Sequence, residues 1–472
     1  MKNFKLSDIV NVTGGQVLNE VSQVFESIGT DTRQNLSGKL FIALKGEAFD
    51  AHQFLTQAQK QGAAGILIHE LPESQKAILS GCTVIRVEDT LKALQDIASW
   101  VRYQYRGKVL ALTGSNGKTS TKEFTAQILS NYRNVHSSRG SFNNHWGVPF
   151  SLLELEPNHE LAIIEMGMNH YGEIQRLVEI AEPDVVVCTM VGRAHIEFFG
   201  TQEGIAKAKQ EIYVHSKPDS FAIFNLDNAF TRKMWEREKR QNPSRPMITF
   251  SEREPADLEI RLKSMSFEGL QLEGFIRKTP GEVFVPVFGR QNVTNLLAAA
   301  SLALAAGLEP EKIWQGLQNC RSHWGRNQKL KLASGAQALF DAYNANPDSM
   351  EALLENVKGL SAGRKIGVFA QMRELGDLSQ TFHELIGEKA GQTGFSKIFF
   401  YGEDHEAFQK GLMKSGYRGE IYTQKDFSDE LAKKLCSDLR PEDFLVFKAS
   451  RGPKLERMLL PCEPLNFSLD KN

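Results

Sequence analysis

The stretch Val109-Leu-Ala-Leu-Thr-Gly-Ser-Asn-Gly-Lys-Thr-Ser120 decides the fold. Four apolar residues read as a buried strand, the glycine-flanked turn follows at once, and Lys-Thr-Ser opens a helical pattern. Gly114 and Gly117 let the backbone turn tightly and point N–H groups inward, toward phosphate oxygens. The helix start near Lys118 adds the partial positive charge of its N-terminus. Lys118 is placed to reach the β- and γ-phosphates of ATP and Thr119 to offer its hydroxyl to Mg²⁺, with Ser115, Asn116 and Ser120 completing the loop. The longer GxxxxGK[ST] spacing fails because Leu112 stands where its first glycine belongs, leaving GxxGKT. An ordinary glycine turn ahead of a helix is the bland reading, and the strand-loop-helix context argues against it.

Working outward, apolar strands alternate with helices. Leu161–Ile164, Val185–Val191 and Phe221–Phe224 read as further strands, with helices at 118–131 and 204–215. Such alternation predicts βαβ units and a mostly parallel sheet. From about Asp257 to Phe288 the pattern turns to period two, which predicts an antiparallel insertion, and helices at 292–306 and 310–319 close the block. Toward the N-terminus, short strands at 40–44, 65–68 and 83–87 mix with amphipathic helices, and a linking helix ends near Gly107. Toward the C-terminus, strands at 338–340, 365–369, 397–401 and 444–447 alternate with helices. The pattern reads as α/β in three domains: a small N-terminal α/β domain (1–105), a central P-loop, mostly parallel-sheet domain (106–328), and a C-terminal Rossmann-like α/β domain (329–472).

Length agrees, since 472 residues at about 150 per domain suggest three. Lys plus Arg (56) nearly cancels Asp plus Glu (57), which argues against a general nucleic-acid binder or a polybasic membrane protein. The five cysteines (Cys82, Cys188, Cys320, Cys436 and Cys462) are scattered, odd in number and without a CxxC pair, so they suggest neither a disulfide framework nor a thiolate zinc site. The start lacks the apolar core of a signal peptide. The longest apolar run, Leu296–Leu308, falls short of the ~20 residues a membrane span needs and reads as a buried helix. The expectation is a cytoplasmic protein, without membrane insertion and monomeric.

Phosphoryl transfer from ATP calls for hard oxygen ligands around Mg²⁺, and two ions are expected. Glu165 ends an apolar strand, where a carboxylate faces the crevice of an open α/β sheet. Solvated strand end is its competing reading. A lone histidine after a strand, as His195 is, is more often structural, and Lys207 and Glu211 read as a solvated, salt-bridged helix face. On pattern alone Lys209 attracts no attention.

Several separated strings together resemble one family, the Mur ligases of peptidoglycan precursor synthesis. They are Leu112–Ser120, Asn143-Asn-His-Trp-Gly-Val-Pro149, Glu165-Met-Gly, Ala194-His195, Ala208-Lys-Gln-Glu-Ile-Tyr213, Gly289-Arg-Gln-Asn-Val-Thr-Asn295, Gly325-Arg326, Asp341-Ala-Tyr-Asn-Ala-Asn-Pro-Asp-Ser-Met350 and Glu374-Leu-Gly376. Their order spans about residues 29 to 457. Tyr343-Asn-Ala-Asn-Pro347 and the N-terminal Thr30-Asp-Thr-Arg33, Phe41–Gly46 and Phe49–His52 are similar to the branch that joins D-alanyl-D-alanine to a UDP-N-acetylmuramoyl tripeptide. The resemblance implies that ATP phosphorylates the tripeptide's terminal carboxylate and that the dipeptide's amine then attacks the acyl phosphate.

Carried over position by position, the resemblance implies that Lys118 binds phosphate, that Thr119, Glu165 and His195 hold metal, and that Lys209, carbamylated by CO₂, supplies a further oxygen ligand. Asn292 and Asn295 would contact adenine, although capping of their helix would use the same side chains. Arg326 and Asp341 would clamp phosphate and ribose across the junction of the second and third domains. Asn144, Asn344, Asn346 and Ser349 would lie near the substrates or the hinge, and Thr32, Arg33, Lys45 and His52 at the UDP end. The chain departs from the family's Gly-Asp-Met and Lys-Gly-Ser strings, with Ala370-Gln-Met-Arg-Glu-Leu-Gly376 and Lys448-Ala-Ser-Arg-Gly452 in their places. A sibling ligase adding another amino acid, a folylpolyglutamate synthase-like ligase, a non-ligating P-loop nucleotide switch and an inactive scaffold are the alternatives. Domain closure over the nucleotide is a further expectation.

Overall fold

Three sheets organise the computed structural model, which describes residues 3–46, 49–360, 363–465 and 467–468. The central one has nine strands, and its middle strand, Lys108–Thr113, runs parallel between Leu161–Glu165 and Val185–Cys188. Val135–Ser137 lies outside Leu161–Glu165, while Phe221–Asn225 and Met247–Ser251 extend the parallel run on the other side. These strands are apolar and buried on both faces, as a sheet covered by helices requires. The chain leaves Lys108–Thr113 toward one edge and returns to its other side, so the strand order reverses beside it. Ligands of open α/β sheets bind at such a switch point, outside the carboxyl ends of the strands.

The period-two segment forms Leu258–Met265, Leu270–Ile276 and Thr279–Val285, an antiparallel extension of the same sheet. The apolar run forms the helix Gln291–Ala305, almost wholly buried and packed on the helix Lys118–Leu129. No helix among the described residues is long and apolar enough to cross a membrane.

The first sheet takes Gln16–Asn19, Thr83–Arg86, Gly65–Ile68, Leu40–Ile42 and Ile28–Gly29 in that spatial order, all parallel except the first pair. The third takes Glu420–Gln424, Lys397–Tyr401, Lys365–Ala370, Phe444–Lys448 and Gln337–Asp341 in parallel, then Gln328–Leu332 and Pro464–Leu465 antiparallel. One apolar cluster runs from Phe4 and Phe25 through Val109 and Ile164 to Leu339 and Val446, so side chains of all three sheets share a core.

Two expectations change. Cys436 and Cys462 are disulfide-bonded, because the helix Asp429–Cys436 packs against the turn Leu460–Cys462 and brings their Cα atoms to 5.2 Å. Glu211 does not pair with Lys207. Its carboxylate accepts from the Gly172 and Gln175 N–H groups at 2.8 and 3.1 Å, beside the start of the helix Glu173–Ala181, and Lys207 lies over the Tyr171 ring.

Candidate active site

The glycine loop sits where the switch point places it. Gly114 and Gly117 have φ of 152° and 82°, and a β-carbon at either would fall on a neighbour, Thr189 at Gly114 and the Asn295 amide at Gly117. The Ser115 N–H donates to the Met190 carbonyl at 2.9 Å and Thr189 Oγ1 to the Asn116 carbonyl at 2.6 Å, which locks the loop onto the segment after Val185–Cys188. Lys118 Nζ folds back onto the Gly114 carbonyl at 2.8 Å. Lost hydration and nearby Arg326 lower its pKa, while Glu165 opposes the shift.

Around this loop, buried polar atoms lack partners. Glu165 is 1% exposed; Asn143 Nδ2 donates to its Oε1 at 2.8 Å, and Oε2 has no partner. Lys209, fully buried on the helix Gln202–Val214, has an unpartnered Nζ. Burial, then Lys118, lowers its pKa to about 7. Arg326 Nη2 donates to Thr119 Oγ1 at 3.2 Å and its Cζ lies 4.4 Å from the Tyr343 ring centroid, yet its buried Nε is unpartnered. Native interiors rarely leave such groups unmet, and here three converge on one loop.

His195 Nδ1 lies 2.9 Å from Glu374 Oε2, so the second and third blocks meet across this pair. Both residues have left-handed backbones, at φ 65° and 62°, a strain that non-glycine residues carry mainly at functional sites. Burial holds the His195 pKa below its usual value, with Lys209 and Lys118 adding to the effect and Glu374 opposing it. Among the described residues no three His, Cys, Asp or Glu side chains form a metal cluster. The donors near the loop are a hydroxyl, a carboxylate, an imidazole and an amine instead.

The third block touches the loop directly. Asn346 Nδ2 donates to Asn116 Oδ1 at 2.7 Å while Asn346 and Ser349 form the capping box of the helix Pro347–Lys358. Arg193 pairs with Asp348 at 2.5 Å and Glu351 at 2.8 Å on the same helix. Asp341 has both carboxylate oxygens engaged, Oδ1 accepting from the Asn327 N–H at 3.2 Å on the second-block side of the junction and Oδ2 from Lys448 Nζ at 2.6 Å in its own block. The Asn344 side chain turns onto the Ala345 N–H. Asn292 does not cap its helix; it is the second residue of that helix, and its amide donates to the Phe288 carbonyl while Asn295 donates to Asn292.

A cleft of about 1390 Å³ runs from the first block, past Gly140–Ser141 and Trp146, to Tyr343 and Arg451. Thr32 and Arg33 line it, and Arg33 is held by Asp31 at 2.8 Å. Ser141 reaches 3.3 Å from Thr119 Oγ1, which joins the cleft to the glycine loop. His52 and Lys45 lie elsewhere. His52 is buried, its Nδ1 2.7 Å from Asp50 and its Nε2 accepting from the His69 N–H, and Lys45 pairs with Asp50. Asn144 accepts from the Gly147 N–H, so it is Asn143 whose amide reaches Glu165. The sequence pattern also missed Lys122, fully buried, which ties the Ser138–Gly140 loop down through two carbonyls.

Sequence comparison decides the relationship. Residues 112–303 match the Mur ligase middle domain and residues 325–451 the Mur ligase glutamate ligase domain. The chain belongs to the Mur ligase family. A UDP-N-acetylmuramoyl-tripeptide–D-alanyl-D-alanine ligase of Bacillus subtilis (strain 168) is 34% identical over 443 residues, covering 92% of this chain and 93% of its own. A crystal structure of MurF from Acinetobacter baumannii superposes with a TM-score of 0.86 at 30% identity, over 98% of this chain and 99% of that one. A MurF ligase from Thermotoga maritima in complex with ADP gives 0.76 at 27% identity, over 92% and 96%. Within this Mur ligase, the three-block cleft meets the glycine loop through Ser141 and Thr119.

Proposed function

We propose that this Mur ligase joins D-alanyl-D-alanine to a UDP-N-acetylmuramoyl tripeptide with ATP, in peptidoglycan precursor synthesis. The observation that carries the reading is the continuity of the cleft with the glycine loop through Ser141 and Thr119. A long substrate lying along the first block can thus present its far carboxylate at the phosphates. The carboxylate oxygen attacks the γ-phosphorus and ADP leaves. The dipeptide's amine then bonds to the acyl carbon, phosphate leaves with the carboxylate oxygen, and the amine's proton is lost.

Each side chain has a defined part. Lys118 exchanges the Gly114 carbonyl for the β- and γ-phosphates, and Arg326 offers its free Nε to the same charge. Asn292 and Asn295 flank the adenine end. Thr119, Glu165 and His195 would hold Mg²⁺, with Lys209, as its carbamate, supplying a further oxygen. The Lys209 amine, buried and shifted to about 7, is partly neutral at physiological pH. Its nitrogen can therefore bond to CO₂ and release a proton, giving an anion that meets the hard-ligand demand of Mg²⁺. Bound Mg²⁺ supplies charge neutralisation for phosphoryl transfer. Positioning two anionic substrates and one amine accounts for the rest.

The first block (1–105) takes the UDP end, the second (106–328) ATP and metal, and the third (329–472) the dipeptide, in a cytoplasmic, monomeric enzyme. Steady-state ADP release with each substrate omitted in turn tests this reading. Turnover is expected only with ATP, Mg²⁺, the UDP-tripeptide and D-alanyl-D-alanine together. Equal ADP release without either acceptor would overturn it in favour of a nucleotide switch.

A further inference from the structure

We infer that Arg373 is the residue that binds the carboxylate of the incoming dipeptide, an inference that rests on the ligase reading above. Arg373 follows the strand Lys365–Ala370, on the same loop as Glu374, whose carboxylate meets His195. Its backbone N–H is pinned by Ser450 Oγ at 3.1 Å, and Ser450 in turn donates to the Ala345 carbonyl at 3.2 Å. The guanidinium lies across Gly452, next to Arg451 of the cleft wall; a β-carbon at Gly452 would fall on it. Most nearby cations are neutralised: Lys448 is paired with Asp341, Arg451 with Glu456, and Arg193 with Asp348 and Glu351. Lys454, further along the Arg451 loop, is exposed and has no ion pair among the described residues, which makes it the control. Arg373 has no carboxylate within ion-pair distance among the described residues. It is exposed and fixed at its backbone, with a planar fork suited to a carboxylate. Adjacent positions on one loop would thus read the two ends of a short zwitterion, the amine near His195 and Glu374 and the carboxylate at Arg373.

The test compares D-alanyl-D-alanine with its C-terminal amide in wild type, Arg373→Gln, Arg373→Lys and Lys454→Ala. Wild type is expected to prefer the acid over the amide by about 10- to 100-fold in kcat/KM, the range of a charge-assisted pair. Arg373→Gln is expected to lose that preference through a raised dipeptide KM, with the KM values for ATP and UDP-tripeptide unchanged, and Arg373→Lys to restore part of it. Lys454→Ala, an exposed cation further along the neighbouring loop, is expected to keep it. An acid preference in Arg373→Gln equal to that of wild type would overturn the inference, as would its loss in Lys454→Ala. Failure of the ligase reading looks different: wild type would then turn over neither the acid nor the amide.

Discussion

At the residue scale the proposed chemistry turns on Lys209, an amine without a partner in a dry interior. Nothing in the spacing of Gln202–Val214 marks it, because a lysine between Ala208 and Gln210 looks like any surface position. Only the packing of that helix against Lys108–Thr113 and Val185–Cys188 makes it unusual. A folded-state pKa lowered from 10.5 to about 7 means the unfolded chain binds more protons between those values. Stability contributed by this site therefore rises with pH from about 7 to 10.5, and the full penalty of a buried charge is present below 7. In CO₂-free buffer, Lys209→Met is expected to raise the melting temperature at pH 6.5, with the advantage shrinking toward pH 10, while abolishing turnover. Lys209→Ala is expected to lose at least about 100-fold in kcat, the lower end of what one missing charge-stabilising group costs, and to regain part of it with formate or acetate. Calorimetry and initial rates check both.

Among elements, the helix Pro347–Lys358 joins the third block to the nucleotide loop. Its start is local in origin: Pro347 suits the first helical turn, and Asn346 with Ser349 forms the capping box. What the sequence could not say is that Asn346 serves twice, capping its helix and meeting Asn116 more than 200 residues earlier. Long-range pairs of this kind have no local signature; the His195–Glu374 and Arg193–Asp348 contacts have none either. The strands and helices around Lys108–Thr113 were legible because apolar runs and glycine breaks are local. Asn143 and Asn144 show the limit, since adjacent identical residues point to opposite uses only once the chain turns. Arg193→Ala is expected to loosen the docked third block. Charge-assisted bonds of about 1.5–3 kcal/mol are lost, so the ATP KM is expected to rise about tenfold and the radius of gyration of the ligand-free protein to increase. Small-angle scattering with a parallel ATP titration measures both.

For the whole molecule, near-zero net charge is reproduced along the cleft, where Arg33, Arg139 and Arg451 are paired with Asp31, Glu154 and Glu456. Lys118 and Arg326 at the glycine loop, by contrast, have no carboxylate within ion-pair distance among the described residues. The cysteine pair acts at this scale too. Cys462 precedes the strand Pro464–Leu465 and the contact of Phe467 with Trp324, so the bond to Cys436 tethers the chain's end to the junction of the second and third blocks. Closing a loop of this length is worth about 3 kcal/mol in the chain-entropy view. Cys436→Ser, or reduction, is expected to lower the melting temperature by several degrees with little change in the ATP KM.

The central claim is that the cleft delivers a carboxylate to the γ-phosphate and that an acyl phosphate links the two halves of the reaction. Its most direct test follows oxygen from a UDP-N-acetylmuramoyl tripeptide carrying ¹⁸O in its terminal carboxylate, turned over with ATP and D-alanyl-D-alanine. Mass spectrometry of the released phosphate is expected to show one ¹⁸O per phosphate formed, matched by one amide. Amide formed with unlabelled phosphate, or phosphate released without amide, would contradict the account.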